Sequence, residues 1–287
     1  MELALIATCV VLALTVGFAG LAVLADRHAP AARRRQVKED SAAKATWLTF
    51  LCWAALTAVG LYFAVTIDYY PTIASDKGEE IAHAFRILTA MAVPVFAMVI
   101  AVLAYSVLRR AGGPSDGDGP PLDGSGPVPT VWLVLTTALT VLVIVYPGLT
   151  SLEKVMATDE TPDLTVIIEG VQWTWLVGYP ADGVTNQPEL VLPVDRSVNF
   201  LITSRDVIHS FWIPSMLMKV DAVPGLTTTI SMRATHTGDF ATDPLVRLQC
   251  TELCGVGHSS MRIPVRVVSE PEFRAWIRER QAARPGQ

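Results

Sequence analysis

Charged residues are scarce in this chain of 287 residues. They make up 17% of it, against about 25% in ordinary soluble domains, while hydrophobic residues make up 51%. Basic residues total 22 against 27 acidic ones, and the polar half carries no basic cluster, which excludes a nucleic-acid-binding surface. The 4 cysteines are too few for a disulfide-rich scaffold. This composition predicts a membrane protein rather than a soluble enzyme.

The apolar residues are concentrated in segments long enough to cross a bilayer as helices, which takes about 20 residues each. The first segment resembles a signal peptide in length, but it is preceded by Glu2 and by no Lys or Arg, whereas a secretory signal begins with a basic region. We therefore predict four transmembrane helices. They are Leu3–Ala25, Thr46–Ile67, Ile87–Leu108 and Val131–Leu149.

The charges between these segments predict their orientation. The connection Asp26–Ala45 is rich in Arg and Lys, and the third segment is followed by Arg109 and Arg110, so both connections should be cytoplasmic. The loop Asp68–Ala84 carries acidic residues and should lie outside. The N-terminus and everything after about Thr150 are then extracytoplasmic, in a multi-pass protein of the cell membrane. The Gly- and Pro-rich stretch 111–129 is predicted to be a flexible loop.

The C-terminal half is predicted to be an all-β sandwich or barrel. Its runs are rich in β-branched residues and bounded by Pro, Gly, Asp or Asn. The tail Glu270–Gln287 should form a short amphipathic helix with Phe273, Trp276 and Ile277 inward. From Ser151 onward there are 12 basic and 16 acidic residues, which suits a basic partner such as a small electron carrier. The predicted strands are Leu164–Ile168, Leu190–Leu192, Val198–Thr203, Thr227–Ser231 and Ile263–Val268.

One stretch of this half carries metal-binding chemistry. Thiolate, imidazole and thioether side chains together select copper, and a second thiolate four positions from the first can bridge two ions. His209 and His258 would then cap one ion each, with the Met261 sulfur and a loop carbonyl as weak ligands and Glu252 between the cysteines. The stretch reads Cys250-Thr-Glu-Leu-Cys254-Gly-Val-Gly-His258-Ser-Ser-Met261, about forty residues after Asp206-Val-Ile-His209-Ser-Phe-Trp.

Three other interpretations remain open from the residues alone. A disulfide between Cys250 and Cys254 would close a very short loop and leave His258 and Met261 without a role. A structural zinc site would have no use for a thioether. A membrane-tethered copper-delivery protein would need exposed, exchangeable ligands, in contrast to a pair of bridging thiolates.

These motifs resemble subunit II of haem-copper oxidases, the cytochrome c oxidase subunit that carries the dinuclear copper centre CuA. The resemblance extends from roughly Ile87 to Trp276. It implies a cupredoxin-like sandwich that accepts electrons from cytochrome c or a cupredoxin and passes them to haem in subunit I, where oxygen is reduced to water. The site residues that it implies are Cys250 and Cys254 as bridging ligands, His209 with Met261 on one copper, and His258 with the Glu252 carbonyl on the other. The Glu252 carboxylate would also reach a magnesium ion shared with subunit I.

Two further segments match this family. Gln172-Trp173-Thr-Trp175 resembles the aromatic element at which cytochrome c delivers its electron, with Trp173, or alternatively Trp175, as the residue that receives it. Lys219–Gly225 resembles a segment that lies against subunit I. The alternative for both tryptophans is a place in the hydrophobic core.

The chain also departs from the family. The family has two helices before the copper domain, so residues 1–70 are interpreted as an additional transmembrane hairpin, 71–150 as the two-helix anchor, 151–270 as the copper domain and 271–287 as a C-terminal helix and tail. Pro129 stands where proton-pumping members have a glutamate, three residues before Trp132. Proline cannot accept a proton as that glutamate can. This difference keeps open the alternative that the chain is a CuA subunit in a nitric oxide reductase of the same superfamily.

Overall fold

The structure is a computed structural model that describes residues 39–67, 70, 72–110 and 127–283. The predicted helix Leu3–Ala25, most of the basic connection and most of the Gly- and Pro-rich loop lie outside the described residues. The contacts divide the chain into two compact units, Met1–Asp68 with Ala84–Leu149 and Tyr69–His83 with Thr150–Gln287.

Within the described residues, three long helices are apolar enough to cross a membrane, and the chain is a membrane protein. They are α1 (Glu39–Thr66), α2 (Asp76–Arg110) and α3 (Pro127–Val143), the last followed by the π-helical turn Ile144–Leu149 and by α4 (Thr150–Met156). The spanning stretches are Trp47–Thr66, Asp76–Val107 and Pro129–Met156. Large apolar side chains such as Phe63 and Leu103 stay exposed on them, as lipid-facing residues do.

Two predicted helix boundaries are wrong. The predicted loop Asp68–Ala84 is helical from Asp76, because the Ser75 hydroxyl accepts a hydrogen bond from the Gly78 N–H and thereby caps α2 in a polar stretch that hydropathy alone does not detect. The predicted helix that ends at Leu149 instead leaves helical geometry at Tyr146, before Pro147, and resumes as far as Met156.

Within the first unit, α1 packs on α2 through a buried indole. Trp53 is buried with Ile87 and Met91, and its Nε1–H donates a 2.9 Å hydrogen bond to the Pro94 carbonyl. Gly60 allows the close approach, since a Cβ there would lie 2.6 Å from Val93 Cγ1.

The second unit contains a β sandwich of two sheets. The strands are β1 Leu164–Val171, β2 Thr174–Tyr179, β3 Val184–Gln187, β4 Leu190–Pro193, β5 Ser197–Ser204, β6 His209–Ile213, β7 Met218–Ala222, β8 Thr228–Arg233, β9 Gly238–Asp239, β10 Arg247–Cys250 and β11 Arg262–Val268. One sheet has the order β3-β2-β1-β5-β8, and the other has the order β4-β11-β10-β6-β7 with β9 paired to β11. Both inner faces bury a single hydrophobic core that includes Trp175, Phe200 and Phe211.

The all-β prediction is confirmed, and each predicted strand is present within one or two residues of its expected bounds, except that β1 continues three residues further, to Val171. The C-terminal helix is also present, as α5 (Glu270–Ala282), with Phe273, Trp276 and Ile277 buried as predicted. A capping box between Ser269 and Glu272 begins this helix.

Candidate metal centre

Strand pairing brings the two metal-binding motifs together. β10 lies between β6 and β11, so Cys250 at the end of β10 is opposite Phe211 of β6. The Thr251 N–H donates to the Ser210 carbonyl and the Cys250 N–H to the Met261 carbonyl, each at 3.0 Å. The first bond holds the start of the cysteine loop against the strand that begins with His209, and the second joins the two ends of the loop to each other.

The two cysteine thiols face each other without a covalent bond. Their Sγ atoms lie 3.8 Å apart and both cysteines are free, whereas disulfide sulfurs lie about 2.05 Å apart. The disulfide interpretation is therefore wrong for this structure. Two sulfurs at this separation can face the same metal ions.

Each sulfur has a histidine nitrogen beside it. His209 Nδ1 lies 3.8 Å from Cys250 Sγ, and His258 Nδ1 lies 3.7 Å from Cys254 Sγ. The ligand atoms of His209, Cys250 and Cys254 lie within 4.8 Å of one another, close enough to hold a metal ion. The short 3-10 turn His258–Ser260 places the second imidazole at the other end of the sulfur pair.

The two predicted weak ligands are also in place. Met261 Sδ lies 3.7 Å from Cys254 Sγ, and the Glu252 carbonyl oxygen lies 3.2 Å from Cys250 Sγ. The Glu252 side chain is exposed. These distances show which donor lies beside each sulfur. Because a bridging sulfur faces both ions, the assignment of the donors to one copper ion or the other stays a prediction.

The site is buried, and burial sets its protonation. Both cysteines, His209 and Met261 are buried, and His258 is half-buried. Burial, together with the neighbouring Cys250 thiol, raises the pKa of Cys254 to about 11. The metal-free Cys254 is thus a neutral thiol at physiological pH, and a metal ion must displace its proton.

A carboxylate fixes the orientation of His209. Asp206 Oδ1 lies 2.8 Å from His209 Nε2, as expected when the Nε2–H donates to the carboxylate, and this leaves Nδ1 directed at sulfur as a metal ligand. Partial burial raises the pKa of Asp206, but hydrogen bonds from the Gln172 N–H, His209 and the Val207 N–H outweigh it and bring the pKa to about 2. Asp206 is therefore ionised at physiological pH.

The donor set fits copper better than zinc. Two thiols, two imidazoles and a thioether form a soft to borderline set. The buried Met261 sulfur has no place in a four-coordinate zinc site, which N and S ligands from Cys and His already close.

The two tryptophans have different environments. Trp173 is 43% exposed and its Nε1–H donates a 3.3 Å hydrogen bond to the Cys254 carbonyl. Trp175 is fully buried, with its ring 5.9 Å from that of His209. A docking protein can touch Trp173 but not Trp175, so the core alternative applies to Trp175.

Two glycines make room for Trp173 on the cysteine loop. A Cβ at Gly257 would lie 2.5 Å from Trp173 Cγ and Cδ2, and one at Gly255 would lie 3.3 Å from Trp173 Nε1. Gly255 also has a φ of +118°, which disfavours any side chain. The indole therefore lies directly on the backbone that carries Cys254.

Sequence reasoning missed three residues that support this site. The roles of Asp206 and Gln172 were not recognised within their motifs, although Asp206 precedes His209 by three residues and Gln172 precedes Trp173. Gly170 was not singled out at all; a Cβ there would lie 2.6 Å from His209 Cδ2. No local signal identifies such a glycine, because the contact joins two different strands.

Comparisons with known proteins agree with these motifs. A family model described as cytochrome c oxidase subunit II, periplasmic domain, matches residues 184–268. Cytochrome c oxidase subunit 2 of Thermostichus vulcanus is 29% identical over 292 residues, covering 82% of this chain and 85% of that one. Its counterpart in Branchiostoma floridae is 33% identical over 172 residues, covering 52% of this chain and 70% of that one.

A solved structure is also similar in sequence. The periplasmic domain of subunit II of cytochrome oxidase from Bradyrhizobium japonicum is 32% identical, covers 42% of this chain and 96% of its own, and has a TM-score of 0.38.

Proposed function

Because the chain belongs to the cytochrome c oxidase subunit II family, we propose that it is the electron-accepting subunit of a membrane haem-copper oxidase. One observation carries this proposal: two buried thiols lie 3.8 Å apart with a histidine nitrogen beside each. The donor would be a reduced cytochrome c or cupredoxin, and the acceptor a haem in subunit I, where oxygen is reduced to water.

Six residues would hold a dinuclear copper centre, five from the cysteine loop 250–261 and one from β6. Cys250 and Cys254 would bridge, His209 and His258 would bind terminally, and the Met261 sulfur and the Glu252 carbonyl would be weak ligands. Bound dinuclear copper supplies one-electron chemistry in which both ions share the unpaired electron. The exposed Glu252 carboxylate is free to meet a magnesium ion at the surface of subunit I.

The surface around the site suits a docking electron donor. Trp173, Leu253 and Val256 are exposed, at 43%, 78% and 96%, all on or against the loop that carries Cys254. An apolar contact of this kind excludes water and brings the redox groups of two proteins close together. Trp173 would then be the residue at which the electron enters.

The arrangement of the chain follows from the same proposal. Residues 71–150 form the family's two-helix anchor, 151–270 its cupredoxin-like copper domain and 271–287 its C-terminal helix and tail. We propose that residues 1–70 are an added transmembrane hairpin, of which 1–38 lie outside the described residues; the chain would then have four transmembrane helices. By the positive-inside rule the basic connections would lie in the cytoplasm, which would put the N-terminus and the copper domain on the extracytoplasmic side.

The copper centre is tested by metal content and electron paramagnetic resonance on the complex, purified through a tag on this chain. We expect two coppers per chain with the hyperfine pattern of one electron shared by both. Cys250→Ser should abolish this pattern, whereas Cys52→Ser in α1 should leave it intact. Copper bound without the mixed-valence pattern in the wild type would instead indicate a copper-delivery protein.

The reaction is tested by supplying reduced cytochrome c to the same complex and comparing oxygen with nitric oxide consumption. Rapid oxygen uptake is expected, and it would show that the complex obtains its protons without a glutamate at position 129. Nitric oxide uptake with little oxygen uptake would make this chain the CuA subunit of a nitric oxide reductase.

The position at which electrons enter is tested with Trp173→Ala. Removal of the indole breaks the contact with the Cys254 carbonyl, so reduction of copper by cytochrome c should slow by at least about tenfold. Phe240→Ala is the control, because Phe240 is an aromatic residue of similar exposure, 39%, after β9. An unchanged reduction rate in Trp173→Ala would refute this role.

A further inference from the structure

We infer that Gln172 is a positioning residue that ties Trp173 and the cysteine loop to the His209 side of the site; this inference rests on the proposed function. Gln172 lies in the turn between β1 and β2, directly before Trp173. Its backbone N–H and its side-chain amide bond to groups on two different sides of the metal centre.

The backbone of Gln172 is fixed from the histidine side. Its N–H donates a 2.7 Å hydrogen bond to Asp206 Oδ2, while the other oxygen of the same carboxylate bonds His209 Nε2 at 2.8 Å. One carboxyl group therefore joins the backbone of the turn to the imidazole through its two oxygens. The position of the turn is thereby coupled to the orientation of His209.

The side chain of Gln172 is fixed from the cysteine side. Its Nε2–H donates a 2.7 Å hydrogen bond to the Cys254 carbonyl, the same oxygen that accepts the 3.3 Å hydrogen bond from Trp173 Nε1. The Gln172 bond is the shorter of the two. The longer indole bond therefore depends on a carbonyl that Gln172 already holds in place.

This arrangement gives the electron a short bonded route. From the indole of Trp173 it crosses one hydrogen bond to the Cys254 carbonyl and then covalent bonds to Cys254 Sγ. The transfer would oxidise the donor by one electron and reduce a copper centre held at this site by one electron, with no proton transferred. Gln172 takes no part in the transfer itself; it keeps the hydrogen-bonded step of the route closed.

The variant Gln172→Met tests this role. Methionine keeps the length of the side chain but has no N–H to donate. Because Gln172 is exposed, the substitution opens no cavity in the core. The matched control is Gln187→Met, since Gln187 Nε2 also donates a 2.7 Å hydrogen bond to a backbone carbonyl, that of Thr185, at the end of β3.

Two measurements on the full chain separate the tether from the electron transfer. In the metal-free protein, amide hydrogen exchange of the loop 251–257 should quicken in Gln172→Met and not in the control. In the copper-loaded complex, stopped-flow reduction by reduced cytochrome c should slow roughly tenfold in Gln172→Met. The resonance spectrum and the subsequent transfer from copper to haem should match the wild type.

Each contrary result has a distinct meaning. Unchanged loop exchange would overturn the tether, and quickened exchange with an unchanged reduction rate would overturn its role in electron transfer. A slowed transfer from copper to haem would also overturn the inference, because it would indicate a general distortion of the centre. If the wild type lacks the mixed-valence signal, the proposed function fails, and the exchange measurement still tests the tether independently.

Discussion

Replacing Gly170 by alanine should weaken copper binding while the β sandwich stays folded. A Cβ at this position would lie 2.6 Å from His209 Cδ2 and 3.0 Å from Cγ, about 1 Å short of an ordinary carbon–carbon contact of ~3.5–4.0 Å. The imidazole cannot simply retreat, because it is fully buried, bonded to Asp206 and packed beside Trp175. Without a metal ion the ring can relieve the clash only by weakening its hydrogen bond to Asp206 and turning Nδ1 away from the sulfurs. A bound copper ion would oppose that movement, so the strain falls mainly on the metal-bound state.

The size of the effect follows from the cost of overpacking. An added methyl in a packed site costs about 1–3 kcal/mol, which corresponds to a loss of roughly 5- to 150-fold in copper affinity when it opposes binding alone. The control is Gly178→Ala on the neighbouring strand β2, where the nearest atom to a new Cβ, Ile167 Cβ, lies at an ordinary 3.7 Å.

Affinity is measured by competition with a copper chelator on the full chain in detergent, alongside the melting temperature. We expect Gly170→Ala to bind copper more weakly than both the wild type and Gly178→Ala. Equal affinities in all three proteins would refute the argument that His209 is held by the surface of β1. An equal loss in both variants would refute its specificity for this glycine.

Two further predictions concern protonation and the C-terminal helix. Because the pKa of Cys254 is raised to about 11, copper affinity should increase with pH in chelator competition, and a flat profile would contradict proton displacement. The raised pKa also makes the stability of the metal-free fold depend on pH. Its contribution to the free energy of unfolding is fully present below the ordinary thiol pKa of ~8.5 and is lost as the pH rises towards 11. Glu189→Ala should lower the free energy of unfolding by about 2 kcal/mol, because Glu189 accepts hydrogen bonds from Trp276 Nε1 at 2.9 Å and Arg280 Nη2 at 3.1 Å. A melting temperature no lower than that of the exposed-site control Glu160→Ala would contradict this anchor.

Most of the proposed metal ligands could be predicted from the sequence because their spacing is local. Five of the six lie within the twelve residues from Cys250 to Met261, and a loop that short cannot place them far apart. His209 lies about forty residues away and was predicted from its residue type rather than from local spacing, because its approach to Cys250 depends on the antiparallel pairing of β6 with β10. That pairing is long-range and has no signature in either segment alone.

The strands β2, β6 and β10 were not predicted from the sequence, and the reason is the same for all three. β6 and β10 each contain a metal ligand within a short run, and β2 includes the aromatic motif, so their residues were interpreted as chemistry rather than as strand. Their burial comes from partners far along the chain, as in the antiparallel pairing of β6 with β10. In β1, by contrast, buried and less buried residues alternate strictly, and that local pattern is enough to predict a strand.

The supporting contacts indicate that the protein places the ligands before any metal binds. The Cys250 N–H, the Thr251 N–H, Asp206 and Gln172 all make hydrogen bonds of 3.0 Å or less that hold ligands or their loop, and none of these bonds requires an ion. Ligands held by such bonds cannot adjust freely when the metal changes its charge. A site that must exchange one electron quickly benefits from this rigidity, because little nuclear movement then accompanies the transfer. The same rigidity would hinder a delivery protein, which has to release its copper, and for that reason the hydrogen bonds around the ligands favour electron transfer over metal delivery.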